Sequence, residues 1–246
     1  MVFLMGMLSL ANAQDRLVED PPIRIGQIHV AYVINDDFTS TETRHLSLTI
    51  LNVNALERAK TMTISHSTSV QKVEVLQAYT QKADGRRVPV PKDNFQIQTS
   101  QGRDSQSPAF SDFSTVTVVF PELGVGDTIV MSHRIVQSEP IFPRHFDVAH
   151  SFVKDTALDD VRISVEFPAD LKVWYASRTM KQSEDTLPGG RKRVQWQWSN
   201  PQALLSTRRD FSVVNSQDQV GAAFSTFENY QAIASAYGQR ALPKAQ

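Results

Sequence analysis

The 246-residue sequence contains no cysteine. This excludes thiolate nucleophiles, cysteine-ligated zinc and iron–sulfur clusters, because each of them needs a deprotonated cysteine sulfur. The absence is compatible with export, since a chain of this length can bury a sizeable core without disulfide bonds.

An excess of one charge sign is also missing, since 25 basic and 26 acidic residues leave a formal net charge of −1. A nearly neutral chain has no long-range field that would draw it to nucleic acid or to an anionic lipid surface. We therefore expect neither of them as a partner.

No apolar run near the N-terminus is long enough to cross a membrane. The first ten residues, MVFLMGMLSL, are apolar, but a spanning helix needs roughly 20 such residues. Ala11 and Ala13 then have the spacing of a signal-peptidase site, so we expect a signal peptide over residues 1–13, a mature chain from Gln14 and a periplasmic or secreted protein. Most signal peptides have a Lys or Arg before the apolar run, but this sequence has none. A buried N-terminal strand is the alternative.

Most of the remaining chain shows the two-residue apolar alternation of β-strands. The clearest case is residues 116–137, where two alternating segments flank Pro121, Gly124 and Gly126 and predict two strands around a tight connection. About a dozen such segments with turn residues between them predict an all-β fold, a large antiparallel β-sandwich.

The predicted domain limits follow from this pattern. A flexible connector at residues 14–22 precedes the sandwich, which we place at residues 23–221. Two smaller sandwiches that divide near residues 95–113 are the alternative.

Two polar segments interrupt the strands. Residues 91–113 predict a long loop with one short strand, and loops of this length in compact domains are usually functional or disordered. Phe110, Asp112 and Phe113 at its end are therefore candidates for a binding surface. Residues 181–193 predict a second polar loop, and the last strand is expected at residues 209–214.

Helical periodicity is clear only near the C-terminus. Ser225 and Glu228 have the spacing of a capping box. Four apolar side chains then recur every three or four residues on one face: Phe227, Tyr230, Ile233 and Tyr237. Gly238 and Pro243 are typical of residues that end a helix. We expect one amphipathic linker helix with its tail at residues 222–246.

Histidines offer the first candidate chemistry. His145, Asp147 and His150 are close enough in sequence to suggest a metal site, but on a strand His150 would face away from the other two. A structural pair of hydrogen-bonded histidines is the favoured alternative. His133 has the parity of inward-facing residues, which predicts a buried neutral histidine with a hydrogen-bond partner rather than a base. No cofactor is expected.

Aromatic residues offer the second candidate. Trp174, Tyr175, Trp196 and Trp198 could form a platform that stacks on sugars. Trp196 and Trp198 share a strand face, which favours burial in the core, and both remain candidates for a binding surface. No G-x-S-x-G motif is present, so serine catalysis has no local support.

Four stretches, in this order and spacing, are typical of a known family: AYTQKADGRRVPV at 78–90, FSDF at 110–113, VVFPELGVGD at 118–127 and, more weakly, PIFPRHF at 140–146. Over about residues 23–239 the chain resembles the bacterial domain of unknown function that lies N-terminal to transglutaminase-like, papain-fold core domains in exported proteins. The resemblance implies a β-sandwich, a linking helix and then a cysteine–histidine–aspartate core. Because cysteine is absent here, no catalytic residue is carried over.

These observations leave three hypotheses. The first is a non-catalytic periplasmic β-sandwich module that binds or positions a protein or peptide partner, with a transglutaminase-like domain as the candidate partner. The second is a module that binds cell-wall carbohydrate through the tryptophans. The third is a metal-dependent hydrolase around His145, Asp147 and His150.

Overall fold

A computed structural model describes residues 21–99, 112–203 and 219–241, which form fourteen strands and two α-helices. In chain order the strands are β1 (Ile23–Ile34), β2 (Ser40–Ile50), β3 (Thr61–Ser67), β4 (Gln71–Gln81), β5 (Arg87–Pro89), β6 (Phe95–Thr99), β7 (Phe113–Val119), β8 (Thr128–Gln137), β9 (Asp147–Phe152), β10 (Ala157–Pro168), β11 (Trp174–Arg178), β12 (Lys181–Leu187), β13 (Arg191–Asn200) and β14 (Val220–Ser225). The helices are α1 (Leu56–Ala59) and α2 (Tyr230–Ala241), and short 3-10 helices lie at Val53–Ala55 and Lys92–Asn94. The predicted signal peptide at 1–13, Phe110 and the strand predicted at 209–214 lie outside these residues.

One long sheet and two small sheets contain these strands. The long sheet has the order β12-β13-β10-β1-β2-β8-β4-β5, and the small sheets have the orders β11-β14-β9 and β3-β7-β6. Among the described strands, β1 and β10 pair in parallel and the other pairs are antiparallel. The predicted all-β, mainly antiparallel sandwich with one C-terminal helix is confirmed.

Two apolar cores lie between the long sheet and the small sheets. The first core joins β13, β10 and β1 to β11-β14-β9, and Ile163, Trp196 and Phe224 are among its fully buried side chains. The second joins β8 and β4 to β3-β7-β6 around Phe120 and Ile129. Burial of such side chains, at about 25 cal/mol per Å² of apolar surface, is the main stabilising contribution in both.

Both small sheets cover the same face of the long sheet. Val30, Arg44, His133 and Val75 are register partners across β1, β2, β8 and β4, and directly paired residues point to the same face. Val30 belongs to the first core and Val75 packs against the second. The molecule is therefore neither one simple sandwich nor two separate ones, because two small sheets share one long sheet.

The two strands predicted within residues 116–137 are present, but they belong to different sheets. β7 lies in a small sheet and β8 in the long sheet, so that their connection crosses between layers. Asp127 holds this connection, because its carboxylate accepts hydrogen bonds from the backbone N–H of Gly124 (2.7 Å) and from Lys82 Nζ (2.5 Å) on the neighbouring β4–β5 turn.

The prediction of a polar loop at residues 181–193 is wrong. Lys181–Leu187 forms β12, the edge strand of the long sheet, which pairs with β13. Its side chains are mostly exposed, because an edge strand beyond the small sheets has water on both faces and needs no apolar alternation. Arg193 and Asp185 pair across the two strands at 2.9 Å.

Near the C-terminus the chain forms a strand before the helix. Val220–Ser225 is β14, the central strand of a small sheet, and it crosses the predicted domain limit at 221. The predicted capping box of Ser225 and Glu228 is wrong: α2 starts at Tyr230, and Asn229 caps it, since Asn229 Oδ1 accepts a hydrogen bond from Ala232 N (2.9 Å). Of the two residues expected to end the helix, Gly238 lies within it, and the helix ends at Ala241, two residues before Pro243.

Candidate functional site

Strand β2 carries polar side chains on the face that packs both cores. Ser40, Glu42 and Arg44 occupy alternate positions there, and the β1 partners of Glu42 and Arg44 are the buried Tyr32 and Val30. Charged residues are rarely buried without a partner. Glu42 and Arg44 are partly exposed, with 21% and 41% of their side chains accessible. They lie where β2 runs between the two cores, a surface that we call the seam from here on.

Glu42 and Arg44 form an ion pair within the seam, with Arg44 Nη2 3.0 Å from Glu42 Oε1. His133, the β8 partner of Arg44, is 6% exposed. Burial and the charge of Arg44 lower the pKa of His133 to about 4. His133 is therefore the inward-facing neutral histidine that its parity predicts, but its buried Nδ1 lacks the expected hydrogen-bond partner among the described residues.

A hydrogen bond links the long sheet to a small sheet beside this ion pair. Tyr32 Oη on β1 lies 3.1 Å from His150 Nε2 on β9. Burial and the charge of Arg44 lower the pKa of His150 to about 4, and burial with the nearby Glu42 raises the pKa of Tyr32 above its usual range. Both groups are neutral near pH 7, as is expected of a structural contact.

A cavity of about 170 Å³ lies at the Ser40 end of the seam. Tyr32, Ser40 and Glu42 line it from the long sheet, and Phe38 and Phe146 are among its apolar lining residues. Ser40 is 6% exposed, and its hydroxyl makes no hydrogen bond to a side chain or backbone group of the described residues. The cavity thus combines aromatic surface with unused hydrogen-bonding capacity.

Asp147 and His145 line the same cavity from the segment that leads into β9. Asp147 is exposed, whereas the His145 ring stacks on Phe227 with a centroid separation of 3.9 Å. Burial is the main cause that lowers the pKa of His145. At neutral pH, Asp147 adds negative charge to the cavity and His145 adds none.

Two residues near the cavity have left-handed backbone conformations. Phe38, which lines the cavity, has φ of 67°, and Arg144, which precedes the lining residue His145, has φ of 62°. Such values are uncommon for residues other than glycine, asparagine and aspartate and cost of order 1–3 kcal/mol. Strained backbone of this kind is concentrated at binding sites.

The three predicted metal candidates do not converge. His145 stacks on Phe227, His150 bonds to Tyr32, and Asp147 is exposed at the cavity. Within residues 21–99, 112–203 and 219–241, no group of three or more His, Asp or Glu side chains is placed to hold a metal ion.

The predicted aromatic platform is divided between the core and the surface. Trp196 is 1% exposed and its Nε1 donates to Gln182 Oε1 (2.9 Å). Tyr175 packs edge-to-face against Trp196, and Trp198 is half-buried against the first core, while Trp174 is exposed. Trp196 is thus a core residue rather than part of a surface.

The two described residues of the predicted loop surface differ in their roles. Phe113 is exposed. The Asp112 carboxylate accepts hydrogen bonds from the hydroxyls of Ser67 and Ser69, which lower the pKa of Asp112. Asp112 therefore holds the start of β7 to the β3–β4 turn.

Helix α2 leaves an aromatic stripe uncovered. Tyr230 is 90% exposed and Tyr237 65% exposed, and Ile233 between them is also exposed. The half-buried positions of the helix are small residues, and Arg240 donates to the carbonyl oxygen of Ile141. The predicted apolar face is present from Tyr230 onward, but it is largely uncovered: Tyr237 approaches Phe142 with a ring separation of 6.4 Å, and Tyr230 remains almost fully exposed.

Sequence reasoning missed a serine–histidine contact on the opposite face of the long sheet. His45 Nδ1 lies 2.7 Å from Ser132 Oγ and His45 Nε2 3.0 Å from Gln27 Oε1. Since Gln27 Oε1 accepts from Nε2, the Ser132 hydroxyl donates to Nδ1. The strands around this contact are paired within the long sheet, with β-bulges at Gly26 and Leu76.

A family model matches residues 36–204, more than half of the chain. The chain belongs to the DUF3857 family. DUF3857 is described as a domain of unknown function with a solved structure. The matched residues leave out β1, β14 and α2, although β1 is central to the long sheet, so the structural DUF3857 unit is larger than the matched segment.

Solved structures with a related fold include a "putative protease" from Parabacteroides distasonis, with a TM-score of 0.76 and 20% identity over 86% of this chain and 41% of that chain. Two other solved structures are more distant. An M1 zinc metallopeptidase from Deinococcus radiodurans has a TM-score of 0.40 and 10% identity over 83% of this chain and 42% of that chain. Aminopeptidase A from Legionella pneumophila has a TM-score of 0.40 and 6% identity over 84% of this chain and 22% of that chain. No curated protein matches the sequence. The similarity to the P. distasonis protein shows a shared fold and nothing further. This DUF3857 chain spans about two fifths of that protein.

No helix of the described DUF3857 residues has the length and apolar composition that crossing a membrane requires.

Proposed function

We propose that this DUF3857 chain is a non-catalytic periplasmic module that positions a protein partner on the aromatic stripe of α2. The observation that carries the proposal is the exposure of Tyr230 and Tyr237 on one face of the last described helix. Aromatic residues are enriched at the centres of protein interfaces, where they contribute much of the binding free energy.

The contacts of α2 support a docking role. Phe142 approaches Tyr237 with a ring separation of 6.4 Å, and Arg240 bonds to the Ile141 carbonyl, so the helix is attached to the sandwich at one side. Tyr237 thus lies at the attached edge of the stripe, whereas Tyr230 is 90% exposed and is available to a second body. An attached helix presents such a stripe in a fixed orientation, which lowers the entropic cost of docking.

The candidate partner is a transglutaminase-like domain, either later in the same polypeptide or in a separate one. The resemblance of the sequence stretches suggests this neighbour. More than half of the P. distasonis protein lies outside its likeness to this chain, which supports a module that accompanies further domains.

In-cell photo-cross-linking tests the proposal. A benzoyl-phenylalanine placed at Tyr230 is expected to cross-link to peptides of a transglutaminase-like domain, which mass spectrometry identifies. The matched control is Ser235, which is exposed but about 140° around the helix from Tyr230. Adducts only with the chain's own sandwich, only with a second copy, or at equal yield from both positions would contradict the proposal.

A further inference from the structure

The lining of the cavity at the Ser40 end of the seam contains two carboxylates, and the cations Arg44 and Arg144 lie beside the lining rather than in it. Glu42 and Asp147 reach it from different sheets, and no lysine or arginine is among its described lining residues. Arg44 pairs with one oxygen of Glu42 from outside the lining. Asp147 has no ion-pair partner among the described residues.

The remaining lining groups suit a cation with an apolar stem. Phe38, Phe146 and Tyr32 supply aromatic rings, whose faces attract cations. Ser40 is 6% exposed and lines the cavity, and its hydroxyl has no partner among the described residues and can accept a hydrogen bond. Ile135 adds apolar surface for a methylene chain.

Size and position also restrict the ligand. A volume of about 170 Å³ equals the liquid volume of about six water molecules and accommodates one long side chain rather than a folded segment. Ile141 lines the cavity and its carbonyl oxygen accepts a hydrogen bond from Arg240 of α2. The cavity therefore lies beside the helix that carries the exposed stripe.

We propose that this cavity receives a basic side chain, lysine or arginine, of the protein partner. Its ammonium or guanidinium group donates to Glu42, Asp147 and Ser40, and its methylene stem packs between Phe38 and Phe146. The inference rests on the proposed function, because the basic side chain is taken to belong to the protein partner. It adds a second contact point beside α2.

Binding of small probes tests the cavity without the partner. The full chain is titrated, with NMR detection, with Nα-acetyl-lysine N-methylamide, its arginine counterpart and its norleucine counterpart. We expect saturable shifts at cavity residues with a basic probe and about tenfold weaker binding of norleucine, which lacks the charge-assisted hydrogen bonds. Saturation by only one of the two basic probes supports the proposal and decides between lysine and arginine.

Two charge-neutralising variants complete the test. Asp147→Asn is expected to weaken binding about threefold, because Asp147 is exposed, and Glu42→Gln about tenfold. Asp155→Asn removes the same charge at an exposed site outside the cavity lining and should leave binding unchanged. Because Asp147 is on the surface, loss of folding is not expected to obscure its effect.

Three results would overturn the inference: no saturation by either basic probe, equal affinity for norleucine, or equal losses in Asp147→Asn and Asp155→Asn. If no basic probe binds but Tyr230 still cross-links to the partner, the cavity proposal is refuted and the proposed docking on α2 stands. If a basic probe binds but Tyr230 gives no such cross-links, the proposed docking on α2 is refuted and the cavity remains a site for basic peptides.

Discussion

Tyr32 Oη lies 3.1 Å from His150 Nε2 and joins β1 of the long sheet to β9 of a small sheet. The contact lies beside the Glu42–Arg44 ion pair, and the charge of Arg44 acts on both His150 and His133. The polar seam therefore couples the layers of the sandwich and makes their packing sensitive to acid.

Stability should fall as the pH decreases from 6.5 to 4. The folded pKa of His133 and of His150 is about 4, below the unfolded value of 6.5, so the unfolded chain binds more protons in this window and acid favours it. Each shift corresponds to roughly 3 kcal/mol at most. Urea unfolding at pH 7 and pH 4.5 measures the loss, and His133→Leu should reduce it by about half. Equal pH dependence in the two proteins would contradict this explanation.

Asp127→Asn should destabilise the fold by about 3 kcal/mol. Asp127 is buried, which alone would raise its pKa, but hydrogen bonds from Lys82, Gly124 and Ala83 outweigh burial and lower it. The asparagine side chain lacks the negative charge, and its NH2 group places a hydrogen-bond donor opposite the donors that Asp127 accepts from. Asp84→Asn on the adjacent exposed turn is the control and should cost less than about 1 kcal/mol. Comparable losses for both variants in urea unfolding would refute the assigned role of Asp127.

Trp196→Ala should cost about 4 kcal/mol, because it opens a cavity in the first core and removes the bond to Gln182. Trp174→Ala at an exposed position should cost about 1 kcal/mol or less. Unfolding followed by far-UV circular dichroism compares the two without relying on tryptophan fluorescence. If Trp196 formed a sugar platform instead, its replacement would leave stability nearly unchanged.

Two glycines should respond to alanine in opposite directions. A Cβ at Gly221 would lie 2.5 Å from the carbonyl oxygen of His150 on β9, so Gly221→Ala should destabilise the small sheet by about 2 kcal/mol. A Cβ at Gly238 in α2 meets nothing within 4 Å, and Gly238→Ala should stabilise the helix by about 0.5–1 kcal/mol. Thermal unfolding measures the first effect and amide exchange of α2 the second. A stabilising effect of Gly221→Ala would contradict the close approach of β14 to β9 at this position.

Sequence patterns predicted individual strands well and their partners poorly. The predicted start of the sandwich at residue 23 coincides with the start of β1 at Ile23. Alternation shows which face of a strand is apolar but not which sheet covers it, so the separation of β7 and β8 into different sheets could not be predicted. β14 was missed because Gly221 and its alanine neighbours give almost no pattern.

The cavity could be predicted only in part. The parity that places Leu46 and Leu48 inward also places Glu42 and Arg44 inward, and this signal alone marks β2 as unusual. Phe146 and Asp147 come from a segment about a hundred residues later, and only the packing of a small sheet brings them to β2.

The parallel pair of β1 and β10 has a consequence for the order of folding. The contact between Arg24 and Asp159 spans 135 residues of sequence, so one edge of β1 remains unpaired until β10 is available. Contacts of such long range slow folding, and an open strand edge invites pairing with other chains in the meantime. We therefore expect the two halves of the long sheet to fold late and together, and a chain interrupted between β7 and β10 to aggregate rather than to form a stable half.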